Sequence, residues 1–269
     1  MKKLLPLILL VILFVVSFNS CKKNKGEPPV LPSSETMLID FTNFSTLTKG
    51  SPQISDFKGI NNSSWEFAAA VAVAWKSLIY STLAVPVGAF KLAISEVPVY
   101  LAEKTWQWSY NAVVSGVTYK ARIVGEIGAT EVTWKMYITK EGTDGFADFL
   151  WIEGSSKLDG TGGQWLINQS ALAPVKLLQI DWTKSGSTVG KVKYTYLKSD
   201  SFNTSYIEYG LTTSTLNGYY TVHYYNGVKF SDINIEWNTS SLDGRVKSSD
   251  YLEGVWYCWD SGHLNKICP

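Results

Sequence analysis

Arginine, histidine and cysteine are scarce in this chain of 269 residues. It has two arginines (Arg122, Arg245), two histidines (His223, His263) and three cysteines (Cys21, Cys258, Cys268). So few arginines argue against a charged-substrate enzyme built on bidentate clamps. Two histidines cannot make a histidine-rich metal centre. Cys258, Cys268 and His263 together fall one ligand short of a closed zinc site. An excess of charge of one sign is also missing, with 24 Lys+Arg against 23 Asp+Glu. That balance excludes a broad basic surface for nucleic acid, which needs clustered positive charge. No nucleophile elbow, phosphate-loop lysine or zinc-protease helix occurs. The expectation is therefore no catalytic residue, no metal, no cofactor and no nucleic-acid partner.

Apolar residues are plentiful, at 45% of the chain with 14% aromatic, which excludes an acidic disordered segment. Lys2 and Lys3 precede an apolar run from Leu4 to Val16, broken only by Pro6, and then Ser17-Phe18-Asn19-Ser20-Cys21. A basic start, a short apolar core and small residues at the cut describe a secretory signal. The run is shorter than the ~20 apolar residues of a stable span. Cys21 follows the small Ser20, as the modified cysteine does in a bacterial lipobox, although Phe18 and Asn19 replace the usual aliphatic and small residues. The expectation is a signal peptide over 1–20 and a lipid on Cys21. A flexible tether rich in Pro, Ser and Lys would then run over 21–34. Residues 35–269 are expected to form one globular domain.

Residues 35–62 carry little pattern, with a short strand expected at Met37–Phe41. Ser63-Ser64-Trp65-Glu66 is a capping box. Ala68, Val71, Ala72, Trp75, Leu78, Ile79 and Leu83 then follow helical spacing, and Ala69, Ala70, Val73 and Ala74 make the opposite face apolar too. A helix apolar all round is buried. Pro86 is expected to open a second helical piece, ended before Pro98, so that the helical block covers 63–96. Lys76 in the middle of the block argues against a membrane span.

From Thr105 the period shortens from about 3.6 residues to about 2. Trp106, Trp108, Tyr110 and Ala112 alternate with polar residues. So do Val117–Ile123, Val132–Ile138, Leu178–Trp182, Val192–Tyr196, Tyr220–Tyr224 and Ile233–Trp237. One dry and one wet face per strand mean an antiparallel sheet. Turn dipeptides such as Ser115-Gly116, Asn217-Gly218, Asn226-Gly227 and Asp243-Gly244 supply short links. Asp159–Gly163 precedes a strand rather than a helix, so it is a hairpin turn and not a phosphate cradle. The predicted fold is mostly β, an antiparallel meander over 105–269. Its roughly 10–12 strands curl into a barrel or strongly curved sheet, with the helical block buried against it. An outer-membrane barrel is disfavoured, because the apolar helix would sit in a watery lumen.

The lipobox-like start, Trp106–Tyr110, Trp134–Ile138 and the ending Cys258-Trp259-Asp260 with Ile267-Cys268-Pro269 resemble uncharacterised lipoproteins of Bacteroidota. The resemblance covers most of the mature chain and implies an antiparallel β domain anchored in the cell envelope, with the outer membrane as the expected site. It implies no activity.

Three functions follow as expectations. The first is a non-catalytic binding or structural role in the envelope, with a protein partner on the wet face. The second is a lipocalin-like carrier of an apolar small molecule, whose lumen Trp106, Trp108, Trp134, Trp182 and Trp237 would line; core packing is the default for tryptophans on the dry face. The third is a carbohydrate-active enzyme using Asp148 with Glu153 or Asp181 with Glu236 as acids ~5–9 Å apart. Tyr137, Tyr219 and Tyr225 are the wet-face aromatics a sugar could stack on, and His223 on a strand face is expected to be hydrogen-bonded rather than a base. Cys258 and Cys268 are expected to be disulfide-bonded in an oxidising compartment. Reduction should raise the intact mass by about 2 Da per chain, the two hydrogens a disulfide lacks; an unchanged mass would reject the bond.

Overall fold

The computed structural model describes residues 25–44, 63–186 and 188–269; the signal segment and Cys21 lie outside them. The helix starts where the capping box places it. Ser63 Oγ accepts from the Glu66 amide at 3.2 Å, and the Glu66 carboxylate accepts from the Ser63 amide at 3.2 Å. Helix α1 runs over Ser64–Leu92, 29 residues, or about 44 Å. The expected division at Pro86 does not occur: α1 passes through it and ends in a 3-10 turn, Ala93–Ser95. Proline forfeits one helical N–H bond, but Pro86 is buried, and packing keeps the helix continuous. Its length and composition would suffice to cross a membrane. Its alanine-rich first half is buried instead, while Tyr80 and Leu92 in the second half are exposed.

Fourteen strands follow: β1 (Val99–Tyr100), β2 (Thr105–Val114), β3 (Val117–Ile127), β4 (Glu131–Lys140), β5 (Phe146–Lys157), β6 (Gly162–Ser170) and β7 (Ala173–Ser185), then β8 (Thr188–Tyr196), β9 (Tyr206–Leu211), β10 (Gly218–Tyr225), β11 (Phe230–Trp237), β12 (Gly244–Ser248), β13 (Tyr257–Trp259) and β14 (Asn265–Lys266). Each pairs with the next in sequence, so the sheet is one antiparallel meander. The count exceeds the expected 10–12 because β1, β13 and β14 are only two or three residues long. The barrel alternative is corrected: β1 and β14 are the two ends of the strand order and do not pair, and the sheet stays open. Two-residue edge strands are too short to form a closing seam. The curled sheet is what forms. Helix α1 touches β2 and β3 near one end of the meander and β12 and β13 near the other, so the sheet wraps the helix. Buried side chains of helix and sheet form one continuous core.

Tryptophan and glycine alternate across neighbouring strands on the inner face. Gly125 of β3 lies between Trp106 of β2 and Trp134 of β4, and Gly154 of β5 lies between Trp134 and Trp165 of β6. Gly163 faces Trp182 of β7. Gly218 faces Trp237, and Gly244 lies between Trp237 and Trp259. A Cβ on Gly125, Gly154, Gly163 or Gly218 would fall 2.6–2.7 Å from the facing indole, closer than two carbons can approach. Each indole thus lies against bare backbone on the adjacent strand, as in the aromatic covering of strand glycines.

The segment before the helix also runs inside the curl. It makes 3-10 turns at Ser34–Met37 and Thr42–Phe44, and the strand expected at Met37–Phe41 does not form. Its polar groups are met by side chains of the sheet rather than by a ladder. The Tyr194 hydroxyl donates to the Met37 carbonyl, Tyr220 to the Asp40 carbonyl, and Trp165 Nε1 to Thr36 Oγ1 at 3.1 Å. Met37, Ile39, Phe41 and Phe44 are buried.

Cys258 and Cys268 are bonded, with Cα atoms 5.2 Å apart. The loop they close caps the start of α1. Asn265 Oδ1 accepts from the Ser64 amide and hydroxyl at 2.9 and 2.8 Å, and Trp65 stacks on His263 with centroids 4.0 Å apart.

The substitution Gly154→Ala is expected to cost about 1–3 kcal/mol, the usual range for overpacking a full core. The new Cβ would meet both the Gln164 carbonyl and the Trp165 ring. Urea denaturation measures it, and an unchanged midpoint would show that the strand can shift freely.

Candidate functional site

The inside of the curl is occupied. Trp106, Trp108, Trp134, Trp182 and Trp237 are all buried, from 1% exposed at Trp134 to 8% at Trp106, and all belong to the core. Their neighbours are other core groups. Trp108 and Trp134 have ring centroids 5.8 Å apart, and Trp134 Nε1 donates to Ser156 Oγ at 2.9 Å. Trp106 meets Tyr100 edge to face, and Trp237 packs on Tyr220 at 4.6 Å and on Phe44 at 5.0 Å. Where a lumen ligand would sit, α1 and the Ser34–Phe44 segment sit instead.

The candidate acids are separately engaged. Asp148 accepts two bonds from Arg122, Nε at 2.8 Å and Nη2 at 2.7 Å. Arg122 holds the Asp148 carboxyl below its usual range. Glu153 pairs with Lys176. Asp181 accepts from Gln164 and Gln179, both at 2.8 Å. Glu236 is bound by Arg245 at 2.7 and 2.8 Å. Both arginines have the same construction: Arg122 lies 3.6 Å over the Tyr137 ring and Arg245 lies 4.3 Å over Trp256. Their charges and the aromatic faces beneath them are already used. Among the described residues no group of three or more His, Cys, Asp or Glu side chains is arranged to hold a metal.

The wet-face aromatics are engaged in the same way. Tyr137 lies under Arg122, in a polar surface groove of about 400 Å³ that Ser109, Asn111, Lys120 and Asp148 also line. The Tyr219 hydroxyl donates to Glu208 at 2.9 Å, and its ring lies so close to Gly210 that no Cβ would fit there. Tyr225 meets Phe202 and Phe230 edge to face. His223 bonds Asp232 at 2.7 Å and stacks between Phe230 and Tyr206.

A second groove, of about 480 Å³, was not apparent from the sequence. It lies where the N-terminal strap Pro28–Pro32 crosses the ends of β3, β4, β5 and β7. Pro29 and Pro32 are buried, so contact with the sheet begins within the segment expected as a tether. A Cβ on Gly125 would lie 3.2 Å from the Pro29 ring. Ile127, Val132 and Leu158 line the groove with the strap, and Lys157, Lys184 and Trp182 border it. The signal that could have found it is the apolar character of Pro28-Pro29-Val30-Leu31-Pro32, unusual in a solvated spacer.

No protein-family model matches the chain, and no curated protein or solved structure shows significant similarity to it.

Burial raises the hydroxyl pKa of Tyr194 and of Tyr220 far above the ordinary tyrosine value. Burial, with the Glu208 bond, pushes Tyr219 up to about 12. In the unfolded chain these groups ionise near pH ~10. Stability is thus fully present below about pH 10 and is lost as pH rises above it, because only the unfolded state gives up the protons. The pair Tyr194→Phe and Tyr220→Phe should cost about 1–3 kcal/mol per site at pH 8, from orphaned carbonyls. It should also flatten the decline above pH 10. Urea titrations across pH 8–11 decide it; an equally steep decline in the double variant would place the alkaline sensitivity elsewhere.

Proposed function

We propose that this protein is a lipid-anchored component of the bacterial cell envelope with a non-catalytic binding or structural role. The observation that carries this is the filled curl: the inner face that could have enclosed a substrate or an apolar cargo is spent on α1 and the Ser34–Phe44 segment. Neither expected carboxylate pair supports the enzyme alternative, since all four acids are bound by partners of their own. The lumen-carrier alternative loses its support in the same way, because the five tryptophans meant to line a cavity pack on core groups. Binding is left to the outer face and the rim of the sheet.

The anchor in this reading is Cys21, preceded by a basic and apolar leader that matches a secretory signal. The lipid, rather than net charge, holds the chain to the membrane. With residues 1–20 removed, 22 cations face 23 anions, too even a balance for attraction to anionic lipid by net charge. Labelling cells with radioactive palmitate and separating membranes from soluble protein tests it. Wild-type chain should be labelled and sediment with membranes, and Cys21→Ser should be unlabelled and lose membrane association. A Cys21→Ser chain that sediments as before would defeat the proposal.

A further inference from the structure

We infer that the groove between the Pro28–Pro32 strap and the sheet end holds the acyl chain of an anionic membrane lipid, with the headgroup at Lys157 and Lys184. The inference rests on the lipid-anchored reading for the nearness of a bilayer and on the groove's own chemistry for the choice of ligand.

One side of the groove is apolar, made by Pro28, Pro29, Leu31, Ile127, Val132 and Leu158, while Ser156 and Thr161 add polar groups; the space is about 480 Å³, within the ~300–1,000 Å³ of small-molecule sites. The border is cationic. Lys157 and Lys184 border the groove, and neither is in an ion pair among the described residues. The one acid lining the groove, Asp159, is already engaged by the Thr161 amide at 2.9 Å and hydroxyl at 2.7 Å. Asp159 offsets part of the Lys157 charge, and Lys184 leaves the groove border with a net positive charge that suits a chain ending in negative charge.

Trp182, buried in the core, closes the inner side of the groove.

Position favours the same occupant. Cys21 stands seven residues before Pro28, and fully extended chain spans at most about 25 Å over that distance. A lipid on Cys21 therefore keeps the groove within that reach of the membrane surface. Lys22, Lys23 and Lys25 lie on the intervening chain and add attraction for anionic headgroups.

The test uses the full lipidated chain in phosphatidylcholine vesicles containing phosphatidylglycerol whose acyl chain carries a photoactivatable diazirine. After illumination and proteolysis, adducts should map to 28–32, 157–161 and 182–186. The charge reversal Lys157→Glu with Lys184→Glu, at one exposed and one half-buried position, should lower their yield roughly tenfold or more, with the circular dichroism spectrum unchanged. Excess unlabelled phosphatidylglycerol should compete, and inorganic phosphate should not. Adducts confined to other segments, or groove adducts unaffected by charge reversal, would overturn the inference; competition by phosphate alone would assign the lysines to a free anion and overturn it too. The anchor is read separately by palmitate labelling, so an unlabelled chain that still gives groove adducts removes the anchor and leaves the groove assignment standing.

Discussion

An indole resting on the bare backbone of a neighbouring strand is the contact on which this architecture depends. A residue with a Cβ at Gly125, Gly154, Gly163, Gly218 or Gly244 would push the facing tryptophan away from the sheet. With glycine there, Trp134, Trp165, Trp182, Trp237 and Trp259 lie low on the concave face. Large side chains on the inside of a curved sheet crowd one another unless some positions are empty, and alternating Trp with Gly on successive strands provides those empty positions. Each exchange also buries a large apolar surface where glycine alone would leave exposed backbone.

The same packing explains the helix. The indoles take so much of the interior that only a slim helix fits, and Ala68, Ala69, Ala70, Ala72 and Ala74 make its first half slim. The Ser34–Phe44 segment shares that interior, held by hydroxyls of Tyr194 and Tyr220. At the surface both arginines are absorbed into aromatic-backed carboxylate pairs. It is at the rim, where the strap crosses the sheet, that unpaired lysines and apolar wall come together.

Several elements were legible in advance because their signal is local. The capping box at Ser63 and Glu66 forms as written, and strands such as Tyr220–Tyr224 keep strict alternation of buried and half-buried residues. Strand β5 was not legible. Its register with β4 shifts between Met136 and Tyr137 and again after Ile138, and each bulge breaks the alternation that marks a strand. At Pro86 the local rule favoured a break, and burial overrode it. The candidate site shows the same limit. The strap residues and Lys184 are more than 150 positions apart in the chain, and nothing in either segment announces the other.

The antiparallel meander, most of its turns, the helix start and the sidedness of the regular strands follow from local signals, because periodicity, capping and turn chemistry act between residues a few positions apart. That the sheet stays open, that tryptophans meet glycines and that the strap crosses the sheet end follow from long-range packing. Alternation tells which face a side chain takes but not what it meets there. What it meets depends on how far the sheet curls and on what fills the space, and both are set by the sum of contacts between segments distant in the chain.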